Sequence, residues 1–202
     1  MPAKPDLDAE VQQRLRLLID LGLGEPTEQF DACAAALATE FAAHLGGGAE
    51  VPYAMVNLVT SEQQFIGLHC PEGKPPVGRT MSRDHGFCPE VVQRRTALVL
   101  PDVYAHPRFA ANAVVDQIGI RTYAGAPLIH RPTGVVLGTI CVVGTIELPL
   151  VTGEPSRALI KDYAEQFMNL IDQRGARNHL GPPGDQLASV QRLHGKHATV
   201  TD

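Results

Sequence analysis

Residues 122–144 read TYAGAPLIHRPTGVVLGTICVVG. Two runs rich in β-branched and aromatic residues flank Arg131-Pro132-Thr133-Gly134, whose proline and glycine mark a turn, so the stretch predicts a hairpin. Upstream, YAMVNLVTS at 53–61 and QFIGLHC at 64–70 form a second such pair around a short polar turn, and ALVL at 97–100 adds a buried strand. In YAGAPL the small residues at 124, 125 and 126 keep one stretch of sheet low, open to close approach from above.

Helical patterns bracket these strands. Leu7, Val11, Leu15, Leu18 and Leu21 recur every three or four residues and predict an amphipathic N-terminal helix within residues 1–26, ending at the glycines of LGLGEP. From Thr27, a candidate N-cap, the stripe Phe30, Cys33, Ala34, Leu37, Phe41 and Leu45 predicts a second helix stopped by Gly46-Gly47-Gly48. After the loop PEGKPPVG a short helix fits Cys88–Arg95. Leu159, Ile160, Tyr163, Phe167, Leu170 and Ile171 mark a closing helix that starts after Pro155, and 176–202 is weakly patterned and reads as a disordered tail. The segment 104–121 reads as an irregular excursion with one helical turn near Ala110–Val115, and a connection this long in a compact domain usually has a task. The order describes an α+β domain at 27–175, with a mostly antiparallel central sheet.

The run GFCPEVVQRRTALVLPDVYAHPRFAANAVV, followed by IRTYAGAPLIHRPTGVVLGTICVVGT, resembles the central part of a GAF domain, the small-molecule-sensing module of signalling proteins. The likeness covers about 53–173 and rests on Phe87-Cys88, Pro101-Asp102, Pro107-Arg108-Phe109 with Asn112, and Tyr123–Leu128 with Leu137-Gly138-Thr139 and Cys141-Val142. It implies a GAF/PAS-like sheet with terminal helices on one side and a ligand pocket under the excursion on the other. Phe65, Phe87, Cys88, Val91, Phe109, Ile118, Arg121, Tyr123 and Gly125 are the expected ligand-binding residues, with Val114 also in the lid. Arg121 is a candidate anion partner at the mouth or an exposed arginine, and Tyr123 combines an apolar ring with a hydroxyl handle. Asp102 is expected to accept backbone hydrogen bonds that order its turn, with Arg108 as its ion-pair partner.

The cysteines stand at 33, 70, 88 and 141 without a CxxC, which excludes a zinc ribbon and a thioredoxin motif and leaves reduced thiols as the default. Cys33 and Cys141 read as small buried hydrophobes. His69-Cys70 with His85 and Cys88 is the one cluster of metal-ligand types, but adjacent strand residues face opposite ways, so no metal site is expected. His69, His85, His106 and His130 have no spacing that singles out a haem ligand, and the order His69-Cys70 differs from the Cys-His of bilin-binding relatives. Cyclic nucleotides, haem and small metabolites all stay open as ligand or cofactor.

Free methionine-(R)-sulfoxide reductases of the same superfamily use pocket cysteines, and Cys88 stands where one of theirs does. Their attacking cysteine comes from the excursion, which here reads FAANAVV. The resemblance therefore implies no catalytic residues. The formal net charge of -5 argues against nucleic acid, and nowhere do about 18 apolar residues run together, so a membrane span is not expected. The expectation is a cytoplasmic, non-catalytic sensor that signals through a partner protein or as a homodimer built on its terminal helices. A constitutive interaction module with a filled pocket, or a thiol redox sensor using Cys70 and Cys88, is the alternative.

Overall fold

A computed structural model describes residues 7–45 and 50–179. The expected stop at Gly46-Gly47-Gly48 and the tail from 180 lie outside the described residues. The chain divides into two compact units, Met1–Met168 and Asn169–Asp202.

The elements of the first unit follow from local signals. α1 is Leu7–Asp20 and α2 is Glu28–His44, whose N-cap Thr27 accepts from the Phe30 N–H at 3.2 Å. Next come β1 (Tyr53–Val59), β2 (Glu62–His69), β3 (Thr80–Ser82), α3 (Cys88–Arg94) and β4 (Leu98–Leu100). α4 (Pro107–Ala110), α5 (Ala113–Ile118), β5 (Thr122–Ile129), β6 (Val136–Gly144) and α6 (Gly153–His179) complete the order. α6 carries the chain into the second unit and extends past the expected boundary at 175.

The sheet has six strands in the order β3-β2-β1-β6-β5-β4, and every neighbouring pair is antiparallel. The α+β architecture is therefore the expected one. β1 and β6 are central and covered on both faces, which is why their sequences are near-continuous apolar runs, interrupted by the buried Asn57 and Thr139, instead of alternating ones. On one face α2 packs against β1 and β2, and Phe30 meets Phe167 of α6 with ring centroids 5.3 Å apart. A Cβ on Gly67 would stand 2.5 Å from the Phe30 carbonyl oxygen, so β2 uses a glycine where the α2 backbone comes closest. On the other face α3 lies over β1, β5 and β6, with α4 and α5 beside it.

Three differences from the sequence reading have physical causes. β3 falls at the end of a Pro- and Gly-rich loop and pairs with β2 over only three positions, too short for a periodic signal. The excursion is more ordered than expected: a 3-10 turn at Val103–Ala105 leads into α4 and α5. Pro107 starts α4, Asn112 caps α5 through its side chain, and Gly119 at φ 72° stops it. α1 also carries an arginine in its buried stripe. Arg14 is 3% exposed; its Nε donates to the Val136 carbonyl and its Nη1 to the Val59 carbonyl at 2.7 Å, tying α1 to the ends of β1 and β6. Burial lowers the Arg14 pKa, as does the charge of Arg83, while Glu10 opposes them.

Candidate functional site

Cys88 opens α3. The turn before it is set by Gly86 at φ 74°, a left-handed conformation that glycine adopts without strain. Gly86 is also where the lid formed by α4 and α5 is fastened. Asn112 Oδ1 accepts from the Gly86 N–H at 2.9 Å, and Asn112 Nδ2 donates to the Gly86 carbonyl at 2.9 Å. Phe109 meets Phe87 edge-on at 5.8 Å, and Phe87 leans on Tyr123 at 5.1 Å.

Beneath the lid lies a cavity of about 40 Å³. Of the expected ligand-binding residues, Phe65, Phe87, Cys88, Ile118 and Tyr123 line it, together with Val114, Met55, Met81, Ile120 and Cys141, and no charged side chain reaches it. Val91 is fully buried in the same cluster and Phe109 packs against that cluster, both outside the lining. The volume matches roughly one water molecule and is far below the ~300 Å³ of a metabolite site. A larger groove, about 850 Å³, lies instead on the outer side of α3, toward α1 and the β5–β6 turn, with Arg14, Arg83, Arg95 and Arg108 along it.

Three expectations are corrected. Gly125 does not leave the floor open: a Cβ there would meet the Tyr123 hydroxyl at 2.1 Å, because the Tyr123 side chain lies over it. Arg121 is not at the cavity. It bonds Asp102 at 3.3 Å and Glu147 at 2.5 Å and stacks on Tyr104 at 4.8 Å, which fixes the loop before β5. Arg108 pairs with Glu90 of α3 at 2.5 Å, since Asp102 is taken by Arg121. Asp102 does order its turn, accepting from the Tyr104 N–H at 3.1 Å.

The floor of the cavity holds a cluster that the sequence did not disclose. Cys88 Sγ lies 3.6 Å from Cys141 Sγ, the Tyr123 hydroxyl donates to Cys88 Sγ at 3.4 Å, and Met55 Sδ stands 3.9 Å from Cys141 Sγ. Both cysteines are buried, at 6% and 1% exposure. The hydrogen bond from Cys141 lowers the Cys88 pKa, with support from the Tyr123 hydroxyl, and outweighs the opposing effect of burial. The same bond pushes Cys141 up, and burial adds to it. The Tyr123 phenol is raised by burial and by both sulfurs. Asn57 and Thr139 are fully buried; Asn57 Nδ2 donates to Gln63 Oε1 at 2.9 Å, while the Thr139 hydroxyl has no hydrogen-bond partner among the described residues. Cys33 is half-buried instead of buried, and Cys70 is half-buried. None of the four cysteines is in a disulfide, and no group of three His, Cys, Asp or Glu side chains converges on a metal-sized space among the described residues.

Residues 29–171 match the GAF domain family. The chain belongs to that family. No curated protein matches it. Among solved structures, this GAF chain is similar to a protein described as a GAF sensor from Burkholderia vietnamiensis, at 18% identity and TM-score 0.53, over 84% of this chain and 96% of that one. It is also similar to free methionine-R-sulfoxide reductase from Neisseria meningitidis in complex with its substrate, at 16% identity and TM-score 0.52, over 88% and 96%. A third likeness is to the GAF domain of a phosphoenolpyruvate-protein phosphotransferase from Coxiella burnetii, at 14% identity and TM-score 0.51, over 86% and 99%. These identities establish the shared GAF fold. No helix among the described residues is long and apolar enough to cross a membrane.

Proposed function

We propose that this GAF domain is a non-catalytic sensory module that takes an uncharged small molecule beneath the α4–α5 lid. It passes the change to a partner protein or to a second copy of the chain. The observation that carries this reading is the uncharged, sulfur- and aromatic-lined cavity under a lid latched through Asn112. A ligand larger than the cavity must open the lid, so its binding energy is coupled to lid position. The lid sequence FAANAVV has no cysteine to attack a sulfoxide, which supports a sensor over a reductase.

The test is a native mass spectrum of the whole chain as purified, set against its denatured mass. The expected result is two copies carrying a small molecule that leaves on denaturation. A bare chain whose melting temperature stays unchanged across a set of uncharged metabolites would replace the sensor with a constitutive docking module. Turnover of free methionine-R-sulfoxide with a dithiol reductant would overturn the non-catalytic assignment.

A further inference from the structure

The fold brings two sulfurs together from distant parts of the chain. Cys88 begins α3, Cys141 lies in the middle of β6, and their sulfurs are 3.6 Å apart in the floor of the cavity that both line. Cys70, the redox partner expected for Cys88 with Cys33 and Cys141 read as buried hydrophobes, lies outside that lining. We propose that Cys88 and Cys141 form a redox-active pair that a small hydroperoxide oxidises to an intramolecular disulfide.

Several observations support this pairing over a chance meeting of two core thiols. The Tyr123 hydroxyl points its proton at Cys88 Sγ at 3.4 Å, and the Cys141 thiol lies 3.6 Å from the same sulfur. These donors stabilise a thiolate at Cys88, and the thiolate is the nucleophile in thiol oxidation. Cys141 has the opposite bias and keeps its proton, as the resolving partner should at the outset. The adjoining cavity of about 40 Å³ holds roughly one water-sized molecule, so it admits hydrogen peroxide and excludes larger hydroperoxides until the lid moves.

The chemistry balances in two steps. The Cys88 thiolate attacks one peroxide oxygen and the O–O bond breaks. Hydroxide leaves and takes up a proton to become water, and Cys88, oxidised by two electrons, becomes a sulfenic acid. The Cys141 sulfur then attacks the Cys88 sulfur, the S–O bond breaks, and the departing hydroxide leaves as water with the Cys141 proton. Two thiols and one peroxide give one disulfide and two waters.

This proposal does not rest on a ligand beneath the lid. The whole chain is treated with hydrogen peroxide, denatured, alkylated and weighed, and its tryptic peptides are sequenced. The expected result is that two of the four thiols become inaccessible to alkylation, with the Cys88 and Cys141 peptides linked and the link undone by a dithiol. Cys141→Ala should stop the reaction at a Cys88 sulfenic acid that a cyclic dione traps. Four alkylatable thiols after peroxide treatment, or a link from Cys88 to Cys33, Cys70 or another chain, would overturn the assignment. Because the deciding readout is on the unsubstituted protein, misfolding of a variant cannot mask the result.

Discussion

A Cβ at Gly125 would stand 2.1 Å from the Tyr123 hydroxyl and 2.6 Å from ring carbon Cζ, distances at which one group must move. Residue 125 pairs with Cys141 across the sheet, so the Tyr123 ring lies along its own strand to reach the sulfur pair. Gly125→Ala is expected to destabilise the fold by about 2 kcal/mol through overpacking, a fall in Tm of roughly 6 °C. In a Tyr123→Ala background the same substitution should cost almost nothing, and a double-mutant cycle by thermal melting checks this. At this scale the sequence was half legible. The smallness of residues 124–126 was evident, but what fills the space is a side-chain direction, and nothing in YAGAPL distinguishes a ligand from the tyrosine two residues back. Cys141 was hidden for the same reason: inside LGTICVVG it looks like any small apolar residue until α3 is laid over β6. Arg14 was the opposite case, a charge at the i+3 and i−4 positions of Val11 and Leu18, and so a visible anomaly in the α1 stripe.

The elements were legible wherever they carried a period or a cap. Thr27, the stripe of α2, the hairpin of β5 and β6 and the short α3 all stand where sequence placed them, because each is set by neighbours within a few residues. The lid was read as irregular because α4 and α5 are too short for a hydrophobic period, and only Pro107, Asn112 and Gly119 mark their ends. Asn112 makes both bonds to Gly86 and caps Val114 N–H at 3.3 Å, so it joins the lid to the turn before α3 and starts α5 at once. Hydrogen bonds of this kind contribute about 1 kcal/mol each. Asn112→Ala should therefore raise amide hydrogen exchange across 107–118 by about tenfold or more, while β5 and β6 exchange as before. Equal acceleration in the central strands would mean that the lid opens only with the whole fold.

At the scale of the whole molecule, the charges that hold distant elements are the least legible part, since a carboxylate finds its partner only after the topology forms. Asp31 of α2 takes the Leu68 N–H of β2 at 2.8 Å and both guanidinium nitrogens of Arg79, at 3.1 and 2.7 Å; Arg79 also donates to the Phe65 carbonyl at 3.2 Å. One side chain thus fastens the α2 layer to the sheet. Burial pushes the Asp31 carboxyl up, but the Arg79 and Leu68 hydrogen bonds and the Arg79 charge outweigh it and hold its pKa below the usual carboxylate value. A folded pKa below the unfolded one adds stability that is fully present above the unfolded value, and is lost as pH falls through the folded one. The pair is 38% and 36% exposed, so solvent screening limits its share to about 1 kcal/mol. Asp31→Asn keeps an oxygen for the Leu68 N–H and removes the charge. Its urea midpoint should lie below the native chain's at pH 7, and the gap should narrow as the pH falls below the usual carboxylate range and through the folded Asp31 pKa. A gap that stays constant from pH 7 down to the chain's own acid unfolding would show that the ion pair adds nothing and that the Leu68 bond alone joins the layers.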